Sequence, residues 1–312
     1  MSSYGKVEYW NKRYALEKEP CEWIGTPNLV EAIIRPEILQ YTSAPAPGGH
    51  ITVTSLSTFP LPLYEYPAEY GSMLNENHRN ERRMNDMKCS FPKQRNQVRI
   101  LHVGCGNSEV GAHLLKNGYE NIVNMDNSPV LINKMKEKYD HNFFAELQSC
   151  LERENLLRYS LGLKPKLAHE QHEVSVSSAE IPNEEARDEA GPSMTFELGD
   201  IAKGLDHPDE SFDLIICKKT LDMILCGASS VADARKMMRE CFRLLSTDHG
   251  VLVILSSAKP EDRAVFFEQD NWSGVMNIKL PSVDDGRERK GHERKRAEFY
   301  AYILYKQQQS PH

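Results

Sequence analysis

The sequence of 312 residues lacks any run of about 18 apolar residues, the length that a helix needs to cross a bilayer. It also lacks an apolar stretch behind its charged opening residues, so we expect no secretory signal peptide. Its 7 cysteines are odd in number and include no Cys-x-x-Cys pair. These absences argue against a zinc site and a disulfide framework. They predict reduced thiols, no metal and a cytoplasmic location.

A large excess of charge of one sign is also missing. The chain has 38 basic and 45 acidic residues, and its net charge is −7, so no general attraction to nucleic acid or to an anionic membrane is expected. With 40% hydrophobic and 27% charged residues, the composition is that of a globular protein. The length is sufficient for one large domain or two modest ones.

Composition and patterning divide the chain into three parts. Residues 1–40 have helix-like patterning and early aromatic residues. Residues 41–97 contain clustered Pro and Gly followed by a polar run, which predicts an irregular insertion. Residues 98–312 alternate between predicted strands and helices. Within them, residues 169–192 are rich in Ser and Glu without an aromatic residue, which is typical of a disordered loop.

The third part contains seven predicted strands. Strands alternate with helices until the last two strands, which follow each other directly. Alternation predicts a parallel sheet with helices on both faces, and the terminal pair predicts one antiparallel strand. The sequence therefore predicts an α/β fold with a Rossmann-like, seven-stranded sheet. Its strands are expected at 98–103, 121–125, 194–198, 211–217, 250–255, 275–280 and 297–305.

A glycine-rich turn follows the first of these strands. Gly104 and Gly106 flank Cys105 where the strand passes into a helix, the place where ligands bind in doubly wound sheets. Glycines allow the backbone to approach a ligand closely. Asp126 ends the next strand, 20 residues after Gly106, where a carboxylate can accept hydrogen bonds from both hydroxyls of a ribose.

A nicotinamide dehydrogenase would use the same two features, but its fingerprint needs a third glycine where this chain has Glu109. That carboxylate would face a pyrophosphate, whereas S-adenosylmethionine carries no phosphate. The residues therefore favour S-adenosylmethionine. Asp200 follows the third strand and could accept a hydrogen bond from the adenine amine. The alternative is that Asp200 only caps the next turn.

Several segments carry a resemblance to a known family. They are Gly104-Cys105-Gly106-Asn107-Ser108, Asn121-Ile122-Val123-Asn124-Met125-Asp126, Lys218-Lys219-Thr220-Leu221-Asp222, and Tyr9-Trp10-Asn11-Lys12-Arg13-Tyr14 with Glu19-Pro20-Cys21-Glu22-Trp23. The sequence resembles the methyltransferase-like family that methylates lysines of elongation factor one-alpha. The resemblance covers residues 4–40, 98–140 and 194–256. It implies a methyltransferase that uses S-adenosylmethionine and a protein substrate, such as a translation elongation factor, with no role for a membrane or nucleic acid.

The resemblance also implies that Trp10, Arg13 and Tyr14 fold over the amino-acid end of the cofactor, with Arg13 facing its carboxylate. The alternative is that these aromatic residues only pack on the core. Residues and resemblance together predict a cofactor site made of Trp10, Arg13, Tyr14, Gly104, Cys105, Gly106, Asn107, Asp126, Asn127, Asp200, Ile201 and Cys217. Asp222 is the candidate catalytic carboxylate that would act on the target amine.

The sequence departs from the family pattern Asp-Lys-Gly-Thr-Leu-Asp after the fourth strand. Cys217 replaces the first Asp and Lys219 replaces the Gly. These changes leave two alternatives open. One is a catalytically degenerate fold that binds a cofactor or a partner, and the other is a methyltransferase for a small molecule or a nucleic acid. The run 287–296 is basic on balance and is interpreted as a solvated hairpin loop, the alternative being a contact for nucleic acid or for an acidic protein surface.

Overall fold

In the computed structural model the described residues are 3–34, 50–53, 95–161, 193–268, 270, 272–280 and 298–306. They form a single mixed β-sheet covered by helices on both faces. The strands, in chain order, are β1 His50–Val53, β2 Arg99–Val103, β3 Asn121–Asp126, β4 Ser193–Leu198, β5 Leu214–Lys218, β6 Gly250–Ser256, β7 Gly274–Leu280 and β8 Phe299–Lys306.

The strand order across the sheet is β1-β7-β8-β6-β5-β2-β3-β4. Among the described strands, only β8 runs antiparallel to its neighbours, β6 and β7. The predicted Rossmann-like, mostly parallel sheet with one antiparallel strand is confirmed. The strand β1 is an addition that pairs in parallel with β7, although it lies inside the segment 41–97 that we expected to be irregular. Three of its four residues, Ile51, Thr52 and Val53, are β-branched, which favours an extended backbone.

The helices flank this sheet. They are α1 Val7–Leu16, α2 Pro27–Ile34, α3 Val110–Lys116, α4 Pro129–Lys138, α5 His141–Ser160, α6 Thr220–Ile224, α7 Ser230–Leu244 and α8 Pro260–Phe267. Short 3₁₀ turns occupy Ser3–Gly5 and Arg95–Gln97. None of the helices in the described part of the chain combines the length and the apolar character that a bilayer span requires.

The central strands are buried on both faces because helices cover each side. Ile100 in β2 packs into an apolar cluster that includes side chains of α2, α3 and α4. Its neighbour Leu101 points the opposite way, into a cluster with α7 and α8. Alternation of side chains along a strand produces this division. Consecutive residues at a strand end therefore face different environments, which matters at the site described below.

The order of connections places a crevice beside β2. The chain proceeds from β2 outward through β3 to β4, and then returns to the other side of β2 as β5 and continues to β6. Ligands of open α/β sheets bind outside the carboxyl ends of the strands at such a reversal. The carboxyl ends of β2, β3 and β5 meet there.

The opening segment is held against α4. Ser128 precedes α4 and its Oγ accepts a hydrogen bond from the Leu131 N–H at 3.3 Å, with Pro129 at the first helical position. The same hydroxyl donates to Asn11 Oδ1 of α1 at 2.6 Å. Lys134 Nζ donates to the Tyr14 carbonyl at 2.5 Å, and a cation suits the negative end of α1. The helix α1 is therefore fixed over the crevice by specific polar contacts.

The helix α5 contacts the core over only part of its length. Leu147 packs against the core, but the Leu156 and Leu157 side chains are exposed by 70% and 60%. The contact with the core therefore does not extend to the end of the helix. The predicted loop 169–192 and the basic run 287–296 lie outside the described residues, as does the insertion 41–97 apart from β1 and the 3₁₀ turn Arg95–Gln97.

We predict that Ser128→Ala lowers the free energy of unfolding by about 1–2 kcal/mol, because it removes both the helix cap and the bond to Asn11. Urea unfolding followed by far-ultraviolet circular dichroism measures the loss. Ser149→Ala is the matched control, since Ser149 lies exposed within α5 and should change stability by less than about 0.5 kcal/mol. Equal effects of the two substitutions would contradict the docking role of Ser128.

Candidate active site

A cavity open to solvent lies at the carboxyl ends of β2, β3 and β5. Concave sites of this kind are where α/β sheets bind small molecules. Most of the residues predicted to bind a cofactor line it, namely Trp10, Tyr14, Gly104, Cys105, Gly106, Asn107, Asp126, Asn127, Asp200 and Ile201. The structure thus brings together segments that lie far apart in the sequence.

The turn after β2 has two glycines with positive φ. Gly104 has φ +61° and Gly106 has φ +54°, values that residues with a side chain rarely adopt. A Cβ atom on Gly104 would lie 2.8 Å from Thr220 Cγ2, and one on Gly106 would lie 3.0 Å from the Tyr14 hydroxyl. Between them, the Cys105 N–H donates to the Met125 carbonyl at 3.0 Å. Only glycines allow this turn to pass between β5 and α1.

Asp126 lies at the end of β3 and is 7% exposed. One carboxylate oxygen accepts the Gly106 N–H at 3.1 Å and the other accepts the Ser128 N–H at 3.0 Å. Burial raises the pKa of Asp126 to about 6, against the opposing effect of these backbone hydrogen bonds. Each oxygen has a further lone pair, so above that pH the group can accept two more hydrogen bonds from a ligand.

Asp200 caps the turn after β4 and also lines the cavity. Its Oδ1 accepts the Ala202 N–H at 3.1 Å, which caps the turn after β4, and its Oδ2 pairs with Lys203 at 3.0 Å. The residue nevertheless lines the cavity beside Ile201, which is buried. Capping therefore does not remove the carboxylate from the cavity wall.

Aromatic residues of the opening segment form another wall. The Trp10 ring stacks on Tyr14 with centroids 5.6 Å apart, and Trp23 packs edge-on against Trp10 at 6.1 Å. Trp10 Nε1 donates to the Tyr4 carbonyl at 2.7 Å. Tyr4, Trp10, Tyr14 and Trp23 all line the cavity. These rings pack on one another and also face the cavity. Packing within the protein therefore does not prevent them from forming part of the cavity wall.

Arg13 does not line the cavity. Its guanidinium forms an ion pair with Glu17 at 2.8 Å and lies over the Trp23 ring, 4.6 Å from the centroid. The hydrogen bonds that Arg13 donates to Glu17 raise the pKa of the Arg13 guanidinium above its usual value. We expected Arg13 to face the carboxylate of a ligand. In the structure the Arg13 guanidinium faces the carboxylate of Glu17 instead.

Cys217 also lies away from the cavity. Its side chain is completely buried and belongs to the cluster beneath α7, where it contacts Cys241. Burial raises the pKa of the Cys217 thiol well above its usual range. Alternation along β5 explains the placement, because Lys218 faces the side of the sheet toward the opening segment. The prediction that Cys217 contributes to the cofactor wall therefore needs correction.

Asp222 is buried in a polar network and does not line the cavity. One of its oxygens accepts from Lys219 Nζ at 2.8 Å and from the Ser257 N–H at 2.9 Å, and the other pairs with Arg263 at 2.7 Å. Ser256 Oγ donates to the same carboxylate. Burial would raise the pKa of Asp222, but these hydrogen bonds lower it to about 2. The expected role as a base is corrected, since a permanently ionised, fully bonded carboxylate anchors its neighbours instead.

An ion pair between Glu22 and Lys218 was missed by the sequence analysis. Lys218 Nζ, on a side chain only 4% exposed, contacts Glu22 Oε2. The same carboxylate accepts from Ser108 Oγ at 2.9 Å and from the Glu109 N–H at 2.9 Å. The partners are 196 residues apart, and no local pattern could indicate the pair. It ties the opening segment to the glycine turn and to β5.

Asn107 strengthens the same connection. Its Nδ2 donates to the Glu19 carbonyl at 2.8 Å, and its Oδ1 accepts the Cys21 N–H at 3.2 Å. Cys21 and Lys218 line the cavity. The loop after α1 therefore closes one side of the cavity, and its position depends on side chains of the glycine turn.

Lys219 occupies an unusual backbone conformation with φ +70°. A side chain in the left-handed region carries a conformational cost, which glycine avoids. This explains why a glycine is suited to this position in the pattern quoted above. Lys219 is among the residues that line the cavity, and its ammonium is bonded to Asp222 and to Ser257 Oγ.

Comparisons with known proteins agree with this arrangement. Residues 170–289 match a family model described as a methyltransferase domain. The chain is 22% identical over 282 residues to EEF1A lysine methyltransferase 4 of Mus musculus, covering 86% of this chain and 69% of that protein. It is 27% identical over 178 residues to the eEF1A lysine and N-terminal methyltransferase of Bos taurus, covering 56% of this chain but 18% of that longer protein.

Alignments with solved structures were also found. A SAM-dependent methyltransferase of Methanosarcina mazei aligns over 70% of this chain and 95% of its own, with 13% identity and a TM-score of 0.36. A SAM-dependent methyltransferase of Leishmania major aligns over 66% and 63%, with 12% identity and a TM-score of 0.40.

We predict that the Glu22–Lys218 pair responds asymmetrically to substitution. Glu22→Gln leaves an ammonium buried without a counter-charge and should cost about 3 kcal/mol of stability. Lys218→Met keeps the aliphatic stem and leaves Glu22 with two donors, so the cost should be about 1 kcal/mol. Chemical denaturation of both variants measures the difference.

The exposed pair of Lys279 and Glu298 provides the control for these variants. Lys279→Met should change the free energy of unfolding by less than about 0.5 kcal/mol. A larger loss in Lys218→Met than in Glu22→Gln would show that Glu22, and not Lys218, carries the desolvated charge.

Proposed function

We propose that this chain, an S-adenosylmethionine-dependent methyltransferase by its fold and family match, transfers the methyl group to a lysine side chain of a protein. The cavity carries the proposal, because it joins a ribose-compatible carboxylate to an aromatic wall and to the end of β5. One relative, whose alignment covers 86% of this chain, is named EEF1A lysine methyltransferase 4, and this name supports a protein acceptor.

The residues around the glycine turn fit a cofactor without phosphate. The N-terminus of α3 is already occupied by the Glu22 carboxylate, which accepts from Ser108 and the Glu109 N–H. A pyrophosphate would meet this negative charge at the place where dinucleotides bind in other α/β proteins. This observation favours S-adenosylmethionine over a nicotinamide dinucleotide.

Each part of the cavity would hold a different part of the cofactor. Asp126 would accept hydrogen bonds from the ribose hydroxyls, and Asp200 with Ile201 would border the adenine. Trp10 and Tyr14 would face the sulfonium, which is attracted to aromatic faces. The cofactor supplies an activated methyl group when bound. The chain then has to align the acceptor in line with that group and exclude water.

The acceptor amine must be neutral to act as a nucleophile, although its free pKa is about 10.4. With Asp222 engaged by Lys219 and Arg263, the chain does not offer it as the proton acceptor. Removal from water in the aromatic part of the cavity disfavours the ammonium form. We therefore assign deprotonation to the environment of the amine and to solvent, without a dedicated base.

The partner class and location follow from the same observations. A translation elongation factor is the proposed substrate, in keeping with the names of the two relatives. The net charge of −7 would favour a basic surface around the target lysine, within the roughly 10 Å that screening permits. All six cysteines in the described part of the chain are free thiols, which fits a cytoplasmic location.

We predict that Asp126→Ala weakens S-adenosylmethionine binding by about 1.5–3 kcal/mol in isothermal titration calorimetry, the scale of hydrogen bonds to a charged group. The affinity of the unmodified protein for S-adenosylmethionine should fall as the pH drops below about 6, because protonation of Asp126 removes one hydrogen-bond acceptor. The Asp126→Ala variant should lose this pH dependence. Preferential binding of a nicotinamide dinucleotide would reject the cofactor assignment.

We predict that incubation with tritiated-methyl S-adenosylmethionine labels a component of a cell extract that protease removes and nuclease leaves intact. Asp126→Ala serves as the binding-deficient control and should give little label. Label that resists protease but is lost with nuclease would assign the acceptor to nucleic acid. Cofactor binding without any label would support the degenerate alternative.

A further inference from the structure

We propose that the Tyr14 hydroxyl donates a hydrogen bond to the carboxylate at the amino-acid end of bound S-adenosylmethionine. The inference rests on the cofactor assignment of the proposed function and adds a specific contact to it. The Arg13 guanidinium, which the family resemblance suggests for this carboxylate, lies outside the cavity and faces Glu17. Tyr14 is the next residue of α1, and it lines the cavity.

The Tyr14 hydroxyl is a polar group on a buried side chain, which is only 7% exposed. Within the residues that the structure describes, this hydroxyl has no hydrogen-bond partner. Buried polar groups of proteins are nearly always hydrogen-bonded, and each exception calls for a reason. A ligand group that binds in the cavity provides one.

The hydroxyl is the part of Tyr14 that points at the glycine turn. A Cβ atom on Gly106 would lie 3.0 Å from the hydroxyl oxygen and 3.9 Å from Cζ, the carbon that carries it. Gly106 also lines the cavity. The polar tip of the ring therefore meets the cavity where the backbone of the turn allows a ligand to approach closely.

The Tyr14 phenol keeps its proton throughout the neutral pH range. Burial raises the pKa of this phenol, and the nearby negative charge of Asp126 raises it further. A neutral phenol carries one proton that it can donate. The ligand group opposite this hydroxyl is therefore a hydrogen-bond acceptor.

The carboxylate is the part of S-adenosylmethionine that fits this place best. In the proposed arrangement the ribose hydroxyls donate to Asp126, and the adenine borders Asp200 at the end of β4. The amino-acid end then remains for the glycine turn and Tyr14. Its carboxylate is the only anionic group of the cofactor, and hydrogen bonds to an ionised acceptor are stronger than those between neutral groups.

Charged donors at the cavity are already engaged. Among the described residues, Lys218 and Lys219 line the cavity, but their ammonium groups are bonded to Glu22 and Asp222. The amino-acid end of the cofactor carries an ammonium beside its carboxylate and has no net charge. A neutral donor such as Tyr14 can therefore bind the carboxylate without breaking either ion pair.

The same hydrogen bond would fix the position of α1. Tyr14 is the single buried residue of this helix, and Trp10 stacks on it with ring centroids 5.6 Å apart. Apart from this side chain, the docking of α1 depends on polar contacts with Ser128 and Lys134. Segments with few buried contacts open easily. A bond from the tip of Tyr14 to the cofactor therefore also positions the aromatic wall.

Calorimetry with two ligands tests the contact. The ligands are S-adenosylmethionine and its decarboxylated form, which lacks only the carboxylate. Tyr14→Phe should weaken S-adenosylmethionine binding about 10- to 100-fold, but change the affinity for the decarboxylated form by less than about twofold. The ligand-free variant should be no less stable than the unmodified protein in urea unfolding, because the hydroxyl has no partner to lose.

Tyr305→Phe is the matched control. The Tyr305 side chain is also buried, and its hydroxyl also lacks a hydrogen-bond partner in the described part of the chain, but it does not line the cavity. This substitution should leave the affinity for both ligands unchanged.

If Tyr14→Phe is poorly folded, amide hydrogen exchange in the unmodified protein decides. S-adenosylmethionine should slow exchange in α1, Val7–Leu16, about tenfold more than the decarboxylated form does at equal saturation. Equal protection of α1 by the two ligands would overturn the role of Tyr14.

The outcomes separate this inference from the assignment on which it rests. Equal loss of affinity for both ligands in Tyr14→Phe would overturn the contact with the carboxylate, and so would an unchanged affinity for S-adenosylmethionine in the folded variant. Failure of the unmodified protein to bind S-adenosylmethionine would overturn the cofactor assignment and the role of Tyr14 with it.

Discussion

The carboxylate of Glu22 joins three parts of the molecule that would otherwise be independent. It accepts hydrogen bonds from Ser108 and Glu109 at the glycine turn and neutralises Lys218 at the end of β5. A nearly buried ammonium requires such a partner, because desolvation without one is costly. The loop that carries Glu22 also carries Cys21 and Trp23, which line the cavity. The contacts of Glu22 therefore position one wall of the cavity.

A conformational and an electrostatic cost are both present at this cavity. Lys219 has a positive φ, and Asp126 is ionised at neutral pH although burial disfavours its charge. Strain and shifted pKa values of this kind cluster at functional sites, where surrounding structure compensates for them. Here the compensation comes from the sheet, whose central strands are buried on both faces, and from the docking of α1 on α4.

The sheet and the residues of the glycine turn that line the cavity could be predicted because they depend on local patterns. Apolar runs, the turn at Gly104 and Gly106, and the cap at Ser128 each act over a few residues. The strand β1 was missed because its four residues stand alone within a stretch rich in Pro and Gly. The prediction for Cys217 depended on which side of β5 it faces, and strand ends defined to within a residue do not settle that orientation.

Partnerships across the fold could not be predicted from one sequence. Arg13 and Asp222 were chosen for their chemistry, but Glu17 and the network of Lys219, Arg263 and Ser257 already engage them. The charges at 22 and 218 were visible, whereas their contact arises only when the opening segment folds over the sheet. Residue type thus indicated what each group can do, and its neighbours decided whether it faces the cavity.

The central claim is that the cavity delivers a methyl group to the side-chain nitrogen of a protein lysine. Tandem mass spectrometry of the acceptor protein, after incubation with S-adenosylmethionine carrying a deuterated methyl group, tests it most directly. The account predicts the deuterated methyl group on a lysine side-chain nitrogen, and its absence when Asp126→Ala replaces the unmodified protein. A deuterated methyl group on a carboxylate, a thiol or a nucleotide, with none on lysine, would contradict it.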